Sequence, residues 1–301
     1  MKIAIVGSTG FIGSAVFTEL QLTGHEVFAV RAPRVEPSAA DTQSNIPEHQ
    51  IDELKLLLAG ADVVINCAGN PDASETDEKA LFASNAISPA IVARATYQAG
   101  VDRLIHVSSA VVQGRRAVLD QSEETEAFSP YARSKVKGEQ AVRNEFPTAV
   151  IYRPPSVHAR NRRVTLMTRR IARSPLATVA APGTQPSPQT LIGNVASAIS
   201  HIATWPTTPP PVVIHPWEGL AVVDVMRVLG GKDPVILPNK LARLICNGLK
   251  TFGKLSAPIA ANARRVEMLW FGQRQGDSWL AETGWEPPLG RDAWRSLFDD
   301  E

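Results

Sequence analysis

The chain opens on an unbroken apolar run, Lys2-Ile-Ala-Ile-Val6, with no polar residue alternating through it. Such a run is typical of a strand buried on both faces of a parallel sheet. The period then changes. Ala15, Val16, Leu20 and Leu22 recur at helical spacing up to Gly24, and His25 to Val30 returns to a strand pattern. Residues 36 to 50 are polar and poorly periodic, so a third strand there is expected to be short or degenerate. Asp52 is expected to cap a helix from Glu53 to Leu58 that closes at Gly60. Asp62 to Cys67 reads as another buried strand, 78 to 99 as a long helix containing Asn85, and Arg103 to Val107 as the next strand. Ser129-Pro130 marks a helix start, because serine caps and a proline at the first position has no N–H to lose. Farther on, Val212 to His215 is a short apolar strand expected to rejoin the main sheet. Leu241 to Leu249 and Arg264 to Gly272 read as helices, with Trp279 and Trp285 in the core of a smaller lobe.

Alternating strands and helices over 301 residues describe an α/β protein of one large or two modest domains. Composition narrows the function classes. Apolar content of 44% and a net charge of +1 fit a soluble globular chain, and nothing in that balance recruits nucleic acid or an anionic surface. Cys67 and Cys246 lie far apart without metal-ligand spacing, so no metal site is read. The first strand begins at once with no basic leader, and no apolar run reaches the length of a membrane span. The expectation is a cytoplasmic protein acting on a small molecule, with a homodimer left open.

The chemistry gathers at the ends of the predicted strands. Gly7-Ser-Thr9-Gly10-Phe11-Ile12-Gly13 lies between the first strand and the first helix. In a βαβ unit such glycines let the backbone turn tightly and approach a pyrophosphate seated on the helix N-terminus. A glycine turn without a nucleotide is the plainer alternative. The second strand ends Val30-Arg31-Ala-Pro-Arg34, with no acid before Glu36. An acid there would bind ribose hydroxyls and repel a 2′-phosphate, whereas Arg31 and Arg34 could pair with one. That favours NADP(H) and leaves NAD(H) open, unless both are simply solvated. Ala68-Gly69 follows the strand ending at Cys67, and Ser108-Ser109 follows Val107. Small residues at such positions admit a ligand, although a serine there also serves as a turn cap. Tyr131 and Lys135 stand at i and i+4, hence on one helix face. An ammonium beside a phenol favours the phenolate and makes an acid/base usable near neutral pH. An ordinary surface helix would carry the same pair.

Taken together these residues resemble the extended short-chain dehydrogenase/reductases, the NAD(P)-dependent epimerase, dehydratase and 4-ketoreductase group. The resemblance runs from Lys2 to about Arg153 and, more faintly, to Thr283-Gly-Trp285-Glu-Pro. It implies a Rossmann-like doubly wound parallel sheet with a smaller C-terminal substrate-binding lobe. The cofactor domain would be 1–153 and the lobe mainly 154–301, with about 193–215 returning to the sheet. Gly7, Gly10 and Gly13 match the family's cofactor loop, Ala68-Gly69 its fourth-strand turn, and Ala149 to Pro154 its sixth strand. Ser109, Tyr131 and Lys135 fall on the catalytic set and Asn85 on the supporting helix Asn. By that resemblance Tyr131 exchanges a proton with the substrate oxygen. Lys135 holds the nicotinamide ribose and lowers the Tyr131 pKa, and Ser109 bonds the carbonyl.

The second half departs from that pattern. Ser156-Val-His158-Ala-Arg160 replaces the usual Asn and Tyr-Gly-Pro turn, and Gln113 stands where an aromatic is usual. The Arg that clamps a nucleotide-sugar phosphate is replaced within Pro186-Ser-Pro188-Gln, and Asn194 stands for an Asp. The basic run Arg160, Arg162, Arg163, Arg169, Arg170, Arg173 is positioned to compensate, with Arg162 and Arg163 the candidates for a substrate phosphate, or it is a solvated helix face. Ser156 and His158 are read as lining the substrate cleft, His158 rather as a turn residue than a proton shuttle. The resulting expectation is an NADP(H)-dependent reductase of a sugar-like, nucleotide-activated ketone. An epimerase/dehydratase and a non-catalytic NADP-sensing or scaffold protein are the alternatives.

Overall fold

In the computed structural model, which describes residues 1–37, 47–253 and 257–298, the opening apolar run forms β1 (Lys2–Val6), followed by α1 (Phe11–Leu22) and β2 (Glu26–Val30). Next come α2 (Glu48–Leu58), β3 (Val63–Asn66), α3 (Glu78–Phe82), α4 (Ser88–Gln98) and β4 (Arg103–Val107). A short β5 (Val118–Leu119) precedes α5 (Pro130–Glu145) and β6 (Val150–Arg153). The second half runs through β7 (Ser156–His158), α6 (Arg163–Arg173), β8 (Thr178–Ala180), β9 (Gln189–Leu191), α7 (Ile192–Thr204) and β10 (Val212–Ile214). It ends with α8 (Val222–Gly230), β11 (Val235–Leu237), α9 (Asn239–Gly253), α10 (Ala257–Phe271), β12 (Arg274–Gln275), α11 (Trp279–Glu282) and α12 (Arg291–Arg295).

The main sheet has the order β10-β6-β4-β3-β1-β2, and every neighbouring pair is parallel. Alternate residues of each strand point to opposite faces. Ile3, Ile5, Val63, Ile65, Ile105, Val107 and Tyr152 pack under Val16 and Leu20 of α1 and Val195 and Ile199 of α7. Ala4, Val6, Val64, Leu104 and Ile151 pack under Ile51 and Leu58 of α2, Ile91 of α4 and Val142 of α5. Burying each of these larger side chains contributes about 1.5–3 kcal/mol, which is why the strands read as unbroken apolar runs.

Two boundaries differ from expectation. The helix α2 begins at Glu48, and Asp52 lies exposed inside it rather than at its cap. Ile51, Leu54 and Leu58 form its buried stripe, so packing of that stripe against the sheet outweighs a local cap signal. No strand lies between Val30 and Glu48 among the described residues, and residues 38–46 of the expected third-strand stretch fall outside them. The long helix over 78–99 is present but carries one π turn, Ala83–Ile87, which holds Asn85.

The tryptophans divide between the two parts. Trp285 and Trp279 pack on the α1/α7 side of the sheet rather than in a separate lobe core. The chain returns there after β12, where Ser278 Oγ donates to Ile214 O at 2.6 Å and Trp285 Nε1 to Ser197 Oγ at 3.2 Å. A separate cluster gathers Ala172, Val179, Leu191, Val222, Met226 and Leu229 around the buried Trp294. Between the two runs a buried polar chain. Tyr152 Oη lies 2.7 Å from His215 Nδ1, and His215 Nε2 lies 2.8 Å from Glu218 Oε1, which also accepts from Thr190 and Asn194. A carboxylate can only accept, so Nε2 carries the proton and Nδ1 accepts from the phenol.

The approach of α5 to the π turn depends on Gly138, where a Cβ would overlap the Asn85 carbonyl oxygen. Gly138→Ala should therefore lower stability by about 1–3 kcal/mol, the usual cost of overpacking. Urea unfolding checks this, and an unchanged midpoint would mean the helices are not held in contact there.

Candidate active site

At the carboxyl edge of the sheet the glycine turn is as tight as its residues allow. Gly7 has φ +82°, and a Cβ there would sit 2.9 Å from Ala68 N. A Cβ at Gly13 would run into the Gly7 carbonyl. The N-cap of α1 is Gly10, with no side-chain cap and no acid in the first turn. The first-turn amides thus lie at the positive end of the helix, beside the exposed Thr9. Those features fit a dinucleotide pyrophosphate. Phe11 is half-buried at the turn, and Ile12 packs inward against the core of the sheet. At the end of β2, Arg31 and Arg34 are both exposed and neither forms an ion pair among the described residues.

The β3 exit is fixed from beneath. Asn85 accepts from Asn70 N at 2.9 Å and donates to Asn70 O at 3.2 Å and Ser134 Oγ at 3.0 Å. Gly69, at φ +149°, passes so close that a Cβ would lie 2.7 Å from Asn85 Oδ1. Asn85 is fully buried and its side-chain amide is engaged in this brace.

Helix α5 brings the reactive side chains to the same edge. Ser129 caps it, accepting from Ala132 N at 3.1 Å. Tyr131, in the first turn and half-buried, has its phenol beside the Ser109 hydroxyl, which follows β4 and also accepts from Val111 N at 3.3 Å. Lys135, one turn on and buried, donates to Val107 O at 3.3 Å. One turn further, Glu139 accepts from Ser108 Oγ at 2.5 Å and takes a two-pronged contact from Arg153 Nε and Nη2 at 3.0 and 2.7 Å. Glu139 was not singled out from the sequence, and Ser108 and Arg153 were read only as the ends of their strands. The spacing of Glu139, four residues after Lys135, was the available signal.

Desolvation governs the titrations. It pushes the Tyr131 phenol up to about 12, opposed by the Arg162 guanidinium and the Ser109 hydrogen bond. It draws Lys135 down to about 8, opposed by Glu139 and Cys67. The depression of Tyr131 by Lys135 expected from their spacing does not occur here, because the lysine runs beneath the strand ends while the phenol turns to Ser109. Desolvation raises the Cys67 thiol to about 12, and desolvation with the Lys135 charge drops His106 to about 3. Burial lowers His158 to about 4.

His158 is also not a lining residue. It is buried, with Nδ1 3.0 Å from Thr165 Oγ1 and Nε2 2.5 Å from Gln189 Oε1 and 3.2 Å from Ser156 Oγ. These contacts tie β7 to β9 and α6, and the Ser156 hydroxyl faces His158. The arginines separate instead of forming one patch. Arg162 stacks over Phe11 at 4.3 Å, beside the glycine turn. Arg163 reaches the loop after β3, 3.4 Å from Ser74 Oγ and 3.8 Å from Asp72. Arg169 lies over Phe298, away from that edge. Gln113 is buried and laces the Asp120–Glu124 turn, donating to Asp120 Oδ1 at 2.9 Å and Glu124 O at 3.0 Å.

The sequence pattern of the NAD dependent epimerase/dehydratase family matches residues 3–214. A dTDP-4-dehydrorhamnose reductase of Mycobacterium tuberculosis is 31% identical over 168 residues, 52% of this chain and 50% of its own. The chain thus spans about half the length of that relative. A probable dTDP-4,6-dihydroxy-2-methyloxan-3-one 4-ketoreductase of Streptomyces antibioticus is 29% identical over 68% of each chain. In fold, the crystal structure of a human epimerase family protein with NADPH matches 100% of both chains at a TM-score of 0.69 and 19% identity.

Burial of Lys135 has a direct readout. A ¹³C NMR titration of the lysine Cε resonances, assigned with Lys135→Arg, should show one midpoint near 8. A midpoint near the ordinary 10.5 would mean that water reaches the ammonium freely.

Proposed function

Because the chain belongs to the NAD-dependent epimerase/dehydratase family, we propose that it is a cytoplasmic NADPH-dependent reductase of a nucleotide-activated 4-keto sugar. The observation that carries this reading is the placement of the Tyr131 phenol beside the Ser109 hydroxyl, at the sheet edge that holds the glycine turn, with Lys135 one helical turn away. The nucleotide-binding part would comprise 1–153 and 193–215, and the substrate lobe 154–192 and 216–301 apart from Ser278 to Trp285, which pack against the sheet. The turn from Gly7 to Gly13 would hold the pyrophosphate, Ala68-Gly69 would flank the nicotinamide half, and Lys135 would hold its ribose. Arg31 and Arg34 would take the 2′-phosphate, and a bound nicotinamide supplies the hydride.

Every other part of the reaction falls to side chains of this chain. Ser109 and Tyr131 together orient the ketone oxygen. Tyr131 donates its phenolic proton to that oxygen as negative charge develops there. With its pKa near 12 the phenol is fully protonated at neutral pH, so the acid is loaded for reduction, whereas oxidation would require the disfavoured phenolate. Arg162, stacked on Phe11, and Arg163, largely exposed, are the groups suited to a substrate phosphate.

Tyr131→Phe should lower turnover of NADPH with a panel of keto sugars by about 10²- to 10⁴-fold while leaving NADPH affinity nearly unchanged. Wild-type turnover in that variant would remove Tyr131 from the chemistry. Interconversion of sugar epimers without net NADPH oxidation would assign an epimerase instead, and the absence of any turnover in the wild type would favour a cofactor-sensing scaffold. The nucleotide preference is separable from catalysis. NADPH should bind more tightly than NADH in a fluorescence-quenching titration, and Arg31→Ala should narrow the difference. Equal affinities in the wild type would mean that the β2 arginines do not read the 2′-phosphate.

A further inference from the structure

Between Asp233 and Glu267 the chain contains no acidic residue, yet it carries Lys240, Arg243, Lys250, Arg264 and Arg265. The whole chain is nearly balanced, 31 basic against 30 acidic residues, so this excess is local. The segment lies beyond the residues that match the family pattern. It forms β11, α9 and α10, and the two helices pack against each other.

Helix α10 faces inward. Arg264 donates to Gly114 O at 2.8 Å, and Arg265 donates to Ala73 O. Helix α9 is the outer layer, and its exposed surface carries apolar side chains beside Lys240, Arg243, Asn247 and Lys250. Ala242 and Cys246 are buried. Leu241, Leu244 and Ile245, at i, i+3 and i+4, form an exposed stripe in which Leu244 is 70% accessible. On the preceding strand, Val235 and Ile236 are also exposed. Leu176 adjoins it at 73% exposure, one residue from the Val235 N–H to Ala177 O bond of 2.8 Å. Lys240, exposed and one turn before Leu244, flanks the stripe. Contiguous exposed apolar surface of this kind marks an interaction site.

We propose that the outer face of α9, with Val235, Ile236 and Leu176, docks on an anionic lipid bilayer, the helix lying in the interface. The apolar stripe is flanked by the exposed Lys240 and Arg243, while the acid of α10, Glu267, is engaged by Lys250 and Arg264; such a stripe complements acidic headgroups above acyl chains. The same charge pattern disfavours a second copy, since a two-fold contact through this face would set basic rims against each other. No helix among the described residues is long and apolar enough to cross a membrane, so the association is peripheral. The proposal is independent of the catalytic assignment.

Flotation of the purified full chain with vesicles tests it. Protein should rise with phosphatidylcholine vesicles containing phosphatidylglycerol, remain behind with phosphatidylcholine alone, and be released by high salt. Leu241→Gln with Leu244→Gln should reduce the bound fraction at least about tenfold, since two buried leucines are lost from the interface. Lys240→Glu should weaken binding while leaving the apolar stripe intact. Circular dichroism melts of both variants control for folding. No flotation with the acidic vesicles, or flotation indifferent to these substitutions, would overturn the proposal. So would a wild-type dimer in sedimentation that the leucine variant converts to monomer, because the stripe would then be a self-association surface.

Discussion

The paired charge of Glu139 and Arg153 is the interaction on which the rest of the site depends. Arg153 ends β6, Glu139 lies on α5, and both are buried. A carboxylate and a guanidinium removed from water persist only when their remaining valences are used. Here they are: Ser108 donates to Glu139 after β4, and Arg153 donates to Ser122 O at 2.7 Å. One charge pair therefore ties α5 to the ends of two neighbouring strands. Tyr131 and Lys135 occupy the two helical turns before Glu139, so their position relative to Ser109 follows from this anchor. Removing one partner of such a pair typically costs about 3–5 kcal/mol. The loss would fall where Tyr131, Ser109 and Lys135 are held in register.

The brace on the other side of α5 is steric and not ionic. Gly138 is buried against the carbonyl of Asn85, and the π turn around Asn85 lets that side chain reach Asn70 and Ser134 together. A regular helix would have carried Asn85 to a different angle. The widened turn and the missing side chain at Gly138 are thus two halves of one fit. They explain why Lys135 passes beneath the strands to Val107 and loses solvation, while Tyr131 at the start of the helix keeps one side to the cleft.

Much of this was legible in the sequence because it rests on local signals. Apolar runs marked β1, β3 and β4, Ser129-Pro130 marked the start of α5, and the glycines marked the first turn. What was not legible rests on contacts between distant segments. The spacing of Tyr131 and Lys135 placed them on one face but not where each side chain ends, which is set by Val107 and Ser109. His158 resembled a cleft residue until Thr165 and Gln189 were seen to occupy both of its nitrogens. Trp279 and Trp285 gave no sign that the chain returns to the α1/α7 side, and Tyr152, His215 and Glu218 are joined only in the fold. The arginines from 160 to 173 form one run in sequence, yet a helix fans them out, so their neighbours differ.

The same distribution of contacts separates what is rigid from what can part. The sheet half is held by two apolar faces and the Glu139–Arg153 pair, and the other half by the cluster around Trp294. Across the cleft the links are of another kind. Arg163 reaches Asp72 and Ser74, Arg265 reaches Ala73, and Arg264 reaches the Gly114 carbonyl. Exposed ion pairs such as Arg163 with Asp72 contribute at most about 1 kcal/mol. All three cross to loops that follow β3 and β4, the strands whose ends form the candidate site.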